Sequence, residues 1–75
     1  MYNNSARADV AATAIHHHSL STGSISESRE TQARDLVGNI WHFLRLECGM
    51  TAEGATAQIE MALDMARQEY REDSD

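Results

Sequence analysis

The sequence predicts an all-α protein built on an antiparallel helical hairpin, with one helix over about 25–48 and the other over about 52–71. Three observations carry this. Proline is absent, and the two Val and four Ile are scattered without the period-two alternation of a strand. The second half is dominated by Ala, Arg, Glu, Met and Leu, all good helix formers. A stop and a start then fall together at Gly49-Met50-Thr51, where Gly suits the position after a helix and Thr the cap before one.

Taken in order, residues 1–4 are expected to be loose. A short helix is predicted over about 6–18, with Asn4 or Ser5 as its N-cap. Val10, Ala11, Ala14, Ile15 and His18 share one helical stripe, but only Val10 and Ile15 are sizeable. An isolated helix this short is marginal in water. Residues 1–23 therefore read as an arm that either docks as a short helix or stays flexible, ahead of a hairpin domain at 24–75. His16, His17 and His18 point about 100° apart on a helix and cannot converge on one ion. His42 and Cys48, six apart, fall on different faces. No metal and no cofactor is expected.

Ser19 to Ser28 reads as a Ser/Thr/Gly linker. Near its end, Ser24-Ile25-Ser26-Glu27 matches a capping box, so the main helix is predicted to begin near Ile25. Carried to Cys48 it would be about 36 Å long. Ala33, Leu36, Val37, Ile40, Trp41, Phe43, Leu44 and Cys48 occupy an arc of about 160° at 100° per residue. Arg34, Asp35, Gly38, His42 and Arg45 lie opposite. Leu46 sits on the polar side, and Gly38 reads as a tolerated break there, costing about 1 kcal/mol relative to Ala.

With Thr51 as cap and Glu53 in its first turn, the last helix is predicted over about Ala52 to Arg71. Ala52, Ala55, Ile59, Ala62, Leu63, Ala66 and Tyr70 form one stripe, whose alanines would let the Ile40/Leu44 face approach closely. Met61 and Met65 form a second. The tail from Glu72 to Asp75 puts negative charge at a helix C-terminus, where the dipole disfavours it, so that end is expected to fray. The hairpin core is assigned to Leu36, Ile40, Phe43, Leu44, Ile59, Leu63 and Tyr70.

A lone hairpin leaves much of both apolar arcs wet. A homodimer forming a helical bundle is the first expectation, since two-fold pairing is the commonest oligomer. Val37, Trp41, Leu46, Met61 and Met65 are the residues expected to face a partner, because Trp is enriched at interface hot spots and Met surfaces adapt to different shapes.

Composition narrows the function classes. The 75 residues make one domain at most, and the single Cys excludes an intrachain disulfide framework. No run approaches the roughly 18 apolar residues of a membrane span, and the N-terminus lacks the basic start and apolar core of a signal peptide. The expected location is the cytoplasm. Net charge is −6, and all six cations are Arg. Without a basic stripe, that charge repels phosphate backbones. No catalytic constellation stands out, and Cys48 at a helix C-terminus is poorly placed to be a thiolate nucleophile. The chain is therefore read as a non-enzyme. It is expected to be a protein–protein interaction module that regulates or inhibits a larger protein, as adaptors, anti-activators, antitoxins or phage-encoded inhibitors do. A dimer of helical hairpins is also similar in architecture to small plasmid regulators that bind paired RNA stem-loops, which makes a nucleic-acid-binding regulator the alternative.

Overall fold

The computed structural model describes residues 2–73. They form three helices, α1 (Asn4–Thr22), α2 (Arg29–Leu46) and α3 (Ala52–Asp73), with no strand among them. The chain divides into two compact units. One, ending at Gly38, holds α1 and the first part of α2; the other, from Asn39, holds the rest of α2 and α3.

In the first unit α1 runs through 19 residues, longer at both ends than the predicted 6–18. Its N-cap is Asn3, not Asn4 or Ser5: the Asn3 side-chain oxygen accepts from the Ala6 N–H at 3.0 Å, satisfying one of the orphan donors of the first turn. Asn4 lies inside the helix and accepts from the Arg7 guanidinium at 2.7 Å. That guanidinium sits 5.1 Å from the centre of the Tyr2 ring. At the other end the supposed linker is helical as far as Thr22. The Ser21 hydroxyl donates to the His17 carbonyl at 3.2 Å and that of Thr22 to the Ser19 carbonyl at 3.5 Å. Hydroxyls that elsewhere compete with a helix are here turned back onto it. Gly23, at φ 75°, ends the helix in the left-handed conformation that Gly takes at least cost.

The loop that follows does not form the predicted capping box. The Glu27 N–H instead bonds the Ser24 carbonyl at 3.0 Å, closing a turn. The N-cap is Ser28, whose hydroxyl accepts from the Thr31 N–H at 3.2 Å and donates to the Thr31 hydroxyl at 3.0 Å. Consequently α2 starts at Arg29 rather than Ile25, and its 18 residues span about 27 Å.

In the second unit α2 ends at Leu46, two residues before the predicted Cys48. The N–H groups of Glu47 and Cys48 converge on the Phe43 carbonyl at 2.8 and 3.3 Å, and Met50 N–H reaches the Leu44 carbonyl at 3.1 Å. Gly49, at φ 69°, takes the left-handed conformation expected of a glycine just past a helix end. The connection is thus Glu47–Thr51, longer than the two or three residues expected. Thr51 is the N-cap of α3: its hydroxyl accepts from Gly54 N–H at 3.0 Å and its carbonyl from Ala55 N–H at 2.9 Å. The helix continues through Glu72 to Asp73, past the predicted Arg71. Of the tail expected to fray, residues 74 and 75 lie outside the described residues.

Candidate protein-interaction surface

Among the described residues only Ser19, Gln32 and Ala55 are buried, and two of the three are polar. The largest fully buried side chain is the serine. Of the residues assigned to a hairpin core, Leu36, Leu44 and Ile59 are half-buried, while Ile40, Phe43, Leu63 and Tyr70 are exposed. Part of the reason lies in the second unit itself. Only Asn39–Leu46 of α2 belongs to it, about two turns set against the 22 residues of α3. Within that unit the later turns of α3 have little to pack on.

The residues expected to face a partner divide in two. Val37 in the first unit and Leu46, Met61 and Met65 in the second are exposed, Leu46 most of all at 73%. Trp41 is half-buried and engaged within its own unit. Its indole N–H donates to the Thr56 hydroxyl at 3.1 Å. The Arg45 guanidinium lies 5.7 Å from the ring centre, within cation–π range. The His42 ring meets the indole edge-on at 5.2 Å and 84°.

Gln32 is the residue that sequence reasoning missed. Only 2% exposed, it aims its amide nitrogen at the carbonyls of Ser24, Ile25 and Glu27, each at 3.1 Å. One side chain thereby gathers the whole α1–α2 loop. No local pattern announces this, because the role depends on where three loop carbonyls converge.

Depressions among the described residues include one on α1 and one on α3. Val10, Thr13, Ala14, His17, His18 and Ser21 line an open, mainly apolar groove on α1, of about 760 Å³; three of the predicted stripe residues are on it. On α3, Ala52, Glu53, Thr56 and Glu60 line a smaller one of about 380 Å³. Among the described residues, no group of three or more His, Cys, Asp or Glu is placed to hold a metal ion. No helix among them is long and apolar enough to cross a membrane. Cys48 is a free, exposed thiol. The Asp64–Arg67 ion pair, at 3.1 Å, is also exposed, which limits its worth to about 0–1 kcal/mol. No family model, curated protein or solved structure matches the chain.

Proposed function

We propose that this protein is a small interaction module that acts in the cytoplasm by binding and regulating, or inhibiting, a larger protein. In this reading α2 and α3 form a helical hairpin that pairs with a second copy. One observation carries it. Among the described residues twelve large apolar side chains stand 40% or more exposed, and Ala55 is the one buried apolar residue. Full burial of a single Val, Leu, Ile, Phe or Met is worth about 1.5–3 kcal/mol, so a partner that covers the exposed part of several of these side chains gains a stabilisation that the lone chain lacks. The net charge of −6 favours a protein partner over a phosphate backbone, and the unpaired Cys48 suits a reducing compartment.

Sedimentation equilibrium combined with thermal melting across a range of concentrations tests the pairing. A dimer mass and a melting temperature that rises with concentration are expected. Ile40→Ala, which removes a side chain 40% exposed in the single chain, should then cost about 2–5 kcal/mol, the range for a buried site. A monomer that melts at one temperature throughout, with Ile40→Ala costing about 1 kcal/mol or less, would overturn self-pairing. Retention of a larger protein from host extract, lost in Met61→Gln/Met65→Gln, is the expected result for the target. A shifted RNA or DNA band at low salt, with no protein retained, would favour a nucleic-acid-binding regulator instead.

A further inference from the structure

The negative charge of this chain is concentrated on one helix. α3 carries six carboxylates against two Arg, whereas α1 and α2 together carry one more Arg than carboxylates. Arg67, one of the two cations on α3, is held on Asp64 at 3.1 Å. On the same helix Met61 and Met65 stand 56% and 61% exposed. Four residues apart, they make a single apolar ridge. Glu53, Thr56 and Glu60 run along the face next to that ridge, lining the depression at the start of the helix; further along the same face Asp64 is taken up by Arg67, so the unneutralised carboxylates of the row are at its start. The Thr56 hydroxyl is fixed by the Trp41 indole, which ties this row to α2 within the second unit.

We infer that α3 is the docking face for a basic amphipathic helix of the partner, whose apolar side rests on Met61 and Met65 and whose Lys or Arg heads lie over Glu53 and Glu60. This rests on the reading of the protein as an interaction module and names the chemical class of its target segment. Charge decides the occupant. A second copy would bring another α3 with the same excess of carboxylates, and like-charged faces repel. An anionic lipid surface or a nucleic acid is repelled for the same reason. A cationic helix is drawn in, and the Met thioethers adapt to the apolar side chains it presents. Helix-on-helix recognition needs anchors one turn apart with opposite charge at the rim, and this face supplies both.

The test uses the intact protein and a fluorescein-labelled, 18-residue helical peptide of Leu and Lys in amphipathic order, read by fluorescence anisotropy. Two control peptides replace Lys by Glu or scramble the order. Saturable binding of the Leu/Lys peptide is expected, weaker by about tenfold or more for either control, which corresponds to about 1.4 kcal/mol. Met61→Gln/Met65→Gln and, separately, Glu53→Gln/Glu60→Gln should each weaken binding by a similar factor while circular dichroism stays unchanged. Glu30→Gln/Asp35→Asn, which removes the same charge from α2, should change it less than about threefold. Equal losses from the α2 and α3 pairs would show attraction to net charge alone and overturn the inference, as would full binding by the Met variant or no binding at all. If the peptide fails while the protein still sediments as a dimer and retains its target, only this inference falls. A monomer that retains nothing removes the broader reading as well.

Discussion

The two units of this chain are held together by different means. In the first, the buried groups are Ser19 and Gln32, and the loop is closed by one amide reaching three carbonyls. In the second, the buried group is Ala55; the connection is set by backbone bonds around Gly49 and the Thr51 cap, and α2 is tied to α3 by the Trp41 indole. The first unit depends on a polar side chain whose removal takes the shared donor from three loop carbonyls. The second depends on local chain geometry and on one exposed-side hydrogen bond. Loss of a partner should therefore be felt more sharply in the first unit than in the second.

Gln32→Leu gives the largest expected effect. It keeps the bulk and removes the donor, so carbonyls in the Ser24–Glu27 loop lose their common partner at a cost of about 2 kcal/mol. Urea unfolding followed by circular dichroism reads the loss. Amide exchange should quicken at residues 24–28 and stay unchanged around Gly49. An unaltered unfolding curve would mean that water replaces the amide without penalty, and the contrast between the two units would disappear.

How much of this was legible in the sequence follows from the same contrast. The all-helical character, the left-handed Gly49 after α2 and the Thr51 cap depend on neighbouring residues, so a reading of local chemistry reaches them. The first unit hides its determinants. The run from Ser19 to Ser28 offers several hydroxyls able to cap a helix, and Ser24 and Ser28 look alike in isolation. Ser28 becomes the cap because Gln32 has drawn the preceding carbonyls into a turn, a contact made across up to eight residues. The Ser and Thr at the end of α1 read as linker residues, yet their hydroxyls bond back to helix carbonyls and Gly23 marks the true end. On the candidate surface, periodicity sets Met61 and Met65 apart as a second stripe and Leu46 apart from the apolar arc of α2, and all three are exposed. The engagement of Trp41 by Thr56 has no such signal, because Thr56 belongs to neither apolar stripe of α3 and its role depends on where α2 lies.

Trp41→Phe is the next smaller effect. The substitution keeps an aromatic face for Arg45 but removes the indole N–H, and the Thr56 hydroxyl left behind is exposed and can turn to water. A loss of about 1 kcal/mol is expected, with amide exchange quickened near residues 52–56 and not in the α1–α2 loop. A loss above that of Gln32→Leu would reverse the ranking of the two units and show that the second unit hangs on its indole.

Gly38→Ala carries the smallest effect and the opposite sign. Gly38 is the last residue of the first unit and lies in the interior of α2. A Cβ added there meets nothing within 4 Å, so nothing in the single chain requires a glycine. Replacing it by Ala in a helix interior should stabilise the protein by about 0.5–1 kcal/mol, through the smaller conformational entropy lost on folding. Melting at low and high concentration makes the substitution informative about pairing as well. A gain at both concentrations is expected, because the polar side of α2 on which Gly38 lies then stays open in the dimer. A gain at low concentration that turns into a loss at high concentration would place a second backbone against Gly38, moving the pairing face from the Ile40 side of the helix to the opposite one.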